Sequence, residues 1–147
     1  MIRSRIVWLV AACLMIAAAA PPEPSVEGYW LTQTHHGIVQ IAPCGASVCG
    51  VLVTSELLAR TPDLTDRHNP NLALRGRKLL GLTLLSGFHA VPSGWAGGTI
   101  YNPDDGNTYH ARLTILDADH LRVRGCVFVP LCRSQVWVRV SAPASRT

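Results

Sequence analysis

The longest polar stretch of the sequence, residues 61–78, holds the side chains best suited to chemistry. Asp66 and His68 stand two positions apart and Asn69 follows at once, a set that could bind a metal ion or supply a catalytic base. Two or three scattered ligands fall short of a recognisable metal site, and Asp66 and Asn69 are also typical of side chains that hydrogen-bond their own loop. The sequence therefore predicts no metal ion and no other cofactor.

Nucleophilic catalysis finds little support elsewhere in the chain. The Gly-x-Ser-x-Gly pattern of a serine nucleophile does not occur, and cysteines that form disulfides are not nucleophiles. We assign no catalytic residue, and the sequence favours a role other than catalysis. An enzyme that uses loop residues 61–78 is kept as an alternative.

Aromatic side chains supply a second set of candidates. Several fall in segments of alternating polarity, where they could line a pocket for a lipid or another apolar ligand. The more common role of such residues is to pack between strands and fill the interior of a small barrel. With two residues of the polar loop, the candidate ligand-binding residues are Trp30, Asp66, Asn69, Trp95, Tyr101 and Tyr109.

The first twenty residues have the pattern of a targeting segment. Arg3 and Arg5 precede an uncharged apolar run over residues 6–20, which is shorter than the roughly 20 residues of a membrane-spanning helix and ends in small side chains. We expect residues 1–20 to be a signal peptide and the mature protein to be periplasmic or secreted. In the alternative, residues 10–13 are a lipobox and acylated Cys13 tethers a lipoprotein to the membrane; the apolar run beyond Cys13 argues against it.

The mature chain would keep an even number of cysteines and a small positive charge. An even count in an exported chain indicates a disulfide framework, for which three pairings exist. The simplest is local, and zinc is disfavoured because the cysteine spacings are wider than in a zinc knuckle. A small charge without a basic run gives no reason to expect nucleic acid as a partner. The predicted disulfide cysteines are Cys44, Cys49, Cys126 and Cys132.

Alternation of polar and apolar side chains indicates half-buried β-strands along most of the chain. The predicted strands are 29–34, 37–42, 49–54, 80–86, 95–101, 109–115, 120–124 and 135–140. Residues 56–60 could form one helical turn. About eight strands with short connections predict an all-β fold, a small antiparallel up-and-down barrel with one long loop.

The domain organisation follows from the same pattern. We expect a single β-barrel domain over residues 28–141 and a C-terminal tail over 142–147. Residues 21–27 carry three prolines, which suit neither a helix nor a sheet interior, and predict a linker.

Short motifs in a fixed order along this chain resemble a known family. They are Gly28-Tyr29-Trp30, Cys44-Gly45, Cys49-Gly50, Asp66 with Asn69-Pro70, Gly81-Leu82, Trp95 with 98–103, Gly106, Tyr109, 121–126, 132–135, Trp137 and Arg139. Their order and spacing resemble the exported bacterial proteins of domain of unknown function 2147. The resemblance implies an envelope protein with a β fold and implies no particular reaction.

A weaker likeness is to lipocalins, which also begin with Gly-x-Trp and carry an arginine on the last strand. Here those residues would be Gly28, Trp30 and Arg139, and closing the barrel would bring a guanidinium over an indole ring. We expect these three residues and Trp137 to be structural. The chain is short for a lipocalin, and the usual C-terminal helix is missing.

These observations lead to one main hypothesis and two alternatives. The main hypothesis is an exported envelope protein that binds a small apolar or amphipathic, lipid-like ligand inside a lipocalin-like barrel, with residues 61–78 as a lid. The expected interior residues are Leu82, Leu84, Leu113, Ile115, Leu121 and Val123. The alternatives are a structural protein with a filled core that contacts another envelope protein, and the enzyme described above. Contact with the membrane itself is expected only if Cys13 is acylated.

Overall fold

The computed structural model describes residues 24–144. The predicted signal peptide and Cys13 lie outside the described residues. The strands are β1 (Gly28–Leu31), β2 (Ile38–Cys44), β3 (Ser47–Thr54), β4 (Thr83–Val91), β5 (Gly94–Asn102), β6 (Asn107–Ile115), β7 (His120–Phe128) and β8 (Leu131–Val140). A short helix, α1 (Glu56–Arg60), and one 3₁₀ turn, Leu72–Leu74, lie between β3 and β4.

The eight strands form a closed antiparallel barrel in sequence order. Each strand pairs with the next, and β1 closes the ring against β8, with Trp30 opposite Arg139. Closure gives every strand a hydrogen-bonded neighbour on both sides. The predicted fold class, a small up-and-down barrel of about eight strands, is confirmed.

Alternating side chains separate the interior of the barrel from its surface. On β7, Leu121 and Val123 are buried while Arg122 and Arg124 are exposed. The interior residues with almost no exposed surface are Trp30, Val39, Ile41, Leu85, Phe88, Leu113, Leu121 and Trp137. Of the six expected interior residues, four are buried, and Leu84 and Ile115 are half-buried against the core.

A tight turn displaces β4 from its predicted position. The prediction places a strand at 80–86, whereas β4 covers Thr83–Val91. The backbone N–H groups of Gly81 and Leu82 donate to the carbonyl oxygens of Leu52 and Leu79, and Gly81 has φ 82°. An apolar run thus makes a turn against β3 before it enters the strand, because glycine tolerates the left-handed conformation that the turn requires.

Both disulfides lie within hairpins. Cys44 bonds to Cys49 at the β2–β3 connection, and Cys126 bonds to Cys132 at the β7–β8 connection. The predicted local pairing is therefore present. Because each bond closes a loop of only a few residues, each contributes on the order of 2 kcal/mol in the chain-entropy description.

The segment that precedes β1 packs across one end of the barrel. Val26 is 1% exposed, and its carbonyl oxygen accepts a hydrogen bond from the indole N–H of Trp30 at 2.8 Å. Residues 24–27 therefore differ from the linker predicted for 21–27, because their backbone carbonyls meet donors inside the barrel end. We call this end the closed end.

The helical elements of residues 24–144 are short. None of them is both long and apolar enough to cross a bilayer. Helix α1 matches the turn predicted at 56–60, and its first turn is capped by the Ser55 hydroxyl, which accepts from the N–H of Leu58 at 3.1 Å.

Candidate functional site

The end of the barrel opposite Val26 opens into a cavity. Its mouth is formed by the β1–β2, β3–β4, β5–β6 and β7–β8 connections, which an up-and-down barrel places at the same end. The cavity volume is about 750 Å³, within the range of about 300–1,000 Å³ typical of small-molecule sites. We call this end the open end.

The depth of the cavity follows from the inward positions of β7. Val127, Gly125 and Val123 line it in turn, and the next inward residue, Leu121, is fully buried below. Val127 and Val123 are four positions apart along the strand, which corresponds to about 13 Å. The barrel is therefore hollow near the mouth and filled at the closed end.

Apolar side chains form the deep wall. Trp137 is 2% exposed at the bottom, and its indole N–H donates to the Gln135 side-chain oxygen at 2.9 Å. That bond leaves the ring free to present an apolar surface without an unpaired donor. The other apolar side chains of the cavity wall, from the deep part to the exposed Leu57, are Leu52, Leu57, Leu79, Leu84, Ile100 and Val123.

Gly125 keeps the middle of the cavity open. A Cβ atom at this position would lie 3.3 Å from Cγ2 of Ile100 and 3.7 Å from Cβ of Tyr109. A larger side chain would therefore enter the space between β5, β6 and β7. The small residue is one reason why this half of the barrel is not filled.

Polar groups surround the mouth. Thr32, Thr34 and Gln135 line it on the side of β1 and β8, where Gln135 donates to the Thr34 hydroxyl at 3.1 Å. Arg133 stands opposite Gly125 in the β7–β8 register, so it lies on the inner face of the sheet. It forms no ion pair with any residue in 24–144.

One pair of side chains bridges the mouth. Nε2 of His35 lies 3.1 Å from Oδ2 of Asp104, and the two side chains are about half exposed. His35 belongs to the β1–β2 connection and Asp104 to the β5–β6 connection, which stand on opposite sides of an eight-stranded ring. The pair therefore partly closes the entrance.

A tyrosine–aspartate pair lies on the rim beside this bridge. The Tyr109 hydroxyl donates to Asp105 at 2.7 Å, and the N–H of Asn107 donates to the same carboxylate at 2.8 Å. Burial opposes ionisation of Asp105, but these hydrogen bonds outweigh it and lower its pKa. The bond to Asp105, aided by burial, raises the pKa of Tyr109, so the rim presents a neutral phenol.

A buried carboxylate organises the long loop. Asp66 is fully buried and accepts from the Tyr101 hydroxyl at 2.6 Å, Asn69 at 2.9 Å and Nε of Arg77 at 2.8 Å. Burial alone would raise the pKa of Asp66, but the three hydrogen bonds and the Arg77 charge outweigh it and lower the pKa. Burial and the neighbouring Asp66 raise the pKa of Tyr101.

The same loop is also attached to the β5–β6 turn. Nδ1 of His68 lies 3.2 Å from the Pro103 carbonyl oxygen, and a Cβ on Gly106 would overlap the backbone of His68. With Asp66 engaged as well, residues 61–78 form a fixed support beside the mouth. This arrangement differs from the expected lid, because the loop's polar groups bond to the barrel wall.

The structure separates the six candidate ligand-binding residues. Tyr101 and Tyr109 line the cavity. Trp30 is fully buried at the closed end, and Trp95, opposite Ala90 and Leu113, is half-buried near the β4–β5 turn. Asp66 and Asn69 stand behind Tyr101 in the loop network. Three of the four arginine and lysine residues of the loop are engaged too, since Arg75 donates to the Asn69 carbonyl, Arg77 to Asp66 and Lys78 to Asp63.

Other cavity residues were not among the sequence candidates. Gly125, Arg133 and Gln135 line the cavity, and alternation along β7 and β8 already indicates that all three face inward. In the sequence, such residues can be recognised by an inward position near a strand end combined with a small or polar side chain. This pattern does not distinguish the open end of the barrel from the closed end.

No metal centre stands out in the part of the chain that the structure describes. Within residues 24–144, no three His, Cys, Asp or Glu side chains lie close enough together to hold an ion. Asp66 and His68, the pair with metal-ligand spacing, bond instead to different partners.

Comparison with solved structures supports the architecture. The fold is similar to that of protein HP1028 from the human pathogen Helicobacter pylori, which belongs to the lipocalin family, with a TM-score of 0.72 over 80% of this chain and 84% of that chain. The two sequences are 22% identical, so the likeness concerns the fold. No curated protein matches the sequence.

Comparison with protein families gives a longer sequence match. The pattern of the family described as an uncharacterized protein conserved in bacteria, DUF2147, matches residues 28–139. This range runs from Gly28, the first residue of β1, to Arg139 of β8, so it covers the barrel except for Val140. The resemblance drawn from the motifs is confirmed, and the chain belongs to the DUF2147 family.

Proposed function

We propose that this protein binds a small apolar or amphipathic molecule in the cavity at the open end of its barrel. The cavity itself is the observation that supports the proposal. About 750 Å³ of space lies above a packed layer of Leu113, Leu121 and Trp30. A barrel of this size can be filled entirely by side chains, and here only the closed half is filled.

The lining suggests how such a ligand would lie. Its apolar part would contact Ile100, Val123 and Trp137, since removal of apolar surface from water contributes about 25 cal/mol per Å². A polar head would stay at the rim beside Arg133 and Gln135, because burying it without a hydrogen bond is costly. A single-chain amphiphile fits this division better than a uniformly polar molecule.

We infer that the protein acts outside the cytoplasm. Two disulfides are typical of an oxidising compartment, and the basic and apolar segment at residues 1–20 has the pattern of a signal peptide. In the periplasm, a binding protein of this kind would hold lipid-like molecules that are poorly soluble in water.

A titration with a fluorescent long-chain fatty acid tests the binding site. We expect saturable binding to the native protein. Gly125→Leu should weaken binding by at least about tenfold, because the new side chain enters the cavity and removes ligand contacts.

Gly76→Leu is the matched control, because a Cβ at Gly76 meets no atom within 4 Å. It should bind like the native protein. Native mass spectrometry of protein isolated from the envelope supplies a second measurement. The proposal fails if the native protein binds no fatty acid and carries no ligand mass, or if Gly125→Leu binds as tightly as the native protein.

A further inference from the structure

The connection between β7 and β8 exposes a continuous apolar tip. Residues 127–131 are Val-Phe-Val-Pro-Leu, and none of them is buried. Val127, Phe128, Val129 and Leu131 are 57%, 62%, 79% and 58% exposed. Single exposed apolar residues are ordinary on protein surfaces, whereas a contiguous group indicates an interaction site.

The tip has a rigid base. Cys126 and Cys132 stand directly opposite each other in the β7–β8 register and are joined by a disulfide. This cross-link prevents the strands from separating below the tip. Because the tip is held out on a closed hairpin, it cannot cover its own apolar surface by folding onto the barrel.

Arginines flank the base of the hairpin on both strands. Arg124 lies two residues before Cys126 and Arg133 follows Cys132 directly. Both are exposed, and neither forms an ion pair among the described residues. Arg112, on the neighbouring strand β6, stands opposite Arg124, so these two arginines place positive charge on the outer face, while Arg133 lies at the cavity mouth.

Two acidic residues of the β5–β6 turn line the same cavity mouth as the tip. Asp104 is bridged to His35, and Asp105 accepts the Tyr109 hydroxyl together with the N–H of Asn107. These contacts direct both carboxylates toward their own rim partners. The apolar tip therefore has cations at its base and no carboxylate within residues 124–133.

These features fit a lipid surface better than a protein partner. Five residues at a convex tip offer much less area than the roughly 800 Å² that each partner buries in a stable protein interface. Their side chains have no hydrogen-bonding groups that could select a protein. Apolar residues flanked by arginines are the composition that enters the boundary between head groups and acyl chains of an anionic bilayer.

We propose that the 127–131 tip docks this protein on an anionic membrane surface. The apolar side chains enter the bilayer by about 5–10 Å. Arg133 lies at the cavity mouth, two residues from Leu131 and about 7 Å along the strand. At this depth its guanidinium group meets the phosphate groups of the lipids. Val127 and Leu131 also line the cavity mouth, so docking turns the mouth toward the lipid. The role of this orientation in ligand binding rests on the proposed function.

Vesicle flotation tests the docking surface. The protein isolated from its cells is mixed with vesicles of phosphatidylethanolamine and phosphatidylglycerol in equal parts. Phe128→Ser should reduce the bound fraction by about tenfold, because it removes an aromatic side chain from the inserted tip. Leu116→Ser is the matched control: Leu116 is an exposed leucine, 41% accessible, in the turn after β6 at the closed end, and the variant should bind normally.

Charge variants test the second part of the proposal. The double variant Arg124→Gln with Arg133→Gln should lose at least about fivefold in binding to vesicles that contain phosphatidylglycerol. The same variant should bind vesicles of phosphatidylcholine alone as the native protein does. Near-ultraviolet circular dichroism checks that every variant retains the native barrel.

Separate outcomes overturn docking and ligand binding. Docking is excluded if folded Phe128→Ser floats with anionic vesicles as well as the native protein. It is also excluded if Phe128→Ser loses an envelope protein partner while vesicle binding is unchanged. Gly125→Leu, which fills the cavity, should still bind vesicles. Loss of fatty-acid binding in this variant therefore does not decide whether the tip docks on a membrane.

Discussion

The guanidinium carbon of Arg139 lies 4.2 Å from the centre of the Trp30 ring. The same guanidinium group donates to the carbonyl oxygens of Ser25 at 2.5 Å, Glu27 at 2.7 Å and Ala118 at 2.7 Å. One side chain thus joins the segment before β1, strands β1 and β8, and the β6–β7 turn. It fixes the closed end, against which the packed half of the barrel is built.

Replacing this arginine should destabilise the whole barrel. Arg139→Gln removes the ring contact and most of the bonds to backbone carbonyls, so we expect a loss of about 2–3 kcal/mol in the free energy of unfolding. Urea denaturation measures the change. Arg122→Gln, on the exposed face of β7, should change the free energy by less than about 0.5 kcal/mol; equal losses in the two variants would contradict the assigned role of Arg139.

The cost of replacing Gly28 should depend on whether Arg139 is present. Gly28 has φ 128°, and a Cβ there would lie 2.6 Å from Nη1 of Arg139. Gly28→Ala should therefore cost about 2 kcal/mol in the native background. In the Arg139→Gln background the steric part of that cost should shrink, giving a coupling of at least about 0.5 kcal/mol in a double-mutant cycle. Strict additivity would show that the two residues do not interact.

Asp66 should make the protein sensitive to acid. Its folded pKa is lowered, so its contribution to stability is complete above the ordinary aspartate pKa of about 3.9. That contribution is lost as the pH falls through the lowered folded pKa. Asp66→Asn should cost about 2–3 kcal/mol at pH 7 and should flatten part of the decline in stability at acidic pH.

Unfolding free energies measured from neutral to acidic pH check this prediction. The control is Glu27→Gln, because the exposed Glu27 carboxylate accepts no hydrogen bond from the residues described. That variant should keep the native pH profile. If Asp66→Asn keeps it too, the buried network does not stabilise the folded state through the ionised carboxylate.

The His35–Asp104 bridge should control access to the cavity rather than stability. Both side chains are about half exposed, and such pairs contribute between about 0 and 1 kcal/mol. Asp104→Ala should leave the unfolding midpoint nearly unchanged and speed dissociation of a bound fatty acid several-fold, as measured by stopped-flow fluorescence. Glu56→Ala removes the comparable His36–Glu56 pair, whose side chains lie 2.7 Å apart. Neither residue lines the cavity, so this variant should not change that rate.

Local patterns were sufficient to predict the barrel. Alternation such as Leu121-Arg122-Val123-Arg124 indicates a strand with one buried face wherever it occurs. Except between β3 and β4, the connections between strands are short. The cysteines of each disulfide are close in sequence, so their pairing also has a local cause. The predicted strand 80–86 begins three residues before β4 begins and ends five residues before β4 ends, because the apolar run at Leu79 and Leu80 has the composition of a strand but forms a turn.

The functional site depended on contacts that no local pattern contains. Asp66 and Tyr101 are 35 residues apart, and only the folded chain shows that they bond to each other instead of facing a ligand. The alternation of inward and outward side chains is also the same in a filled barrel and in a hollow one. Whether the space at Gly125 is empty depends on the sizes of Ile100 and Tyr109, which belong to two other strands.

Nuclear magnetic resonance can locate a bound ligand most directly. Titrating isotope-labelled protein with a long-chain fatty acid should produce saturable amide shifts at Gly37 and Gly125, which line the cavity. Gly45 and Gly76, which have open space around them, should not shift. A titration that moves no signal, or only signals of the outer surface, would contradict a binding site inside this barrel.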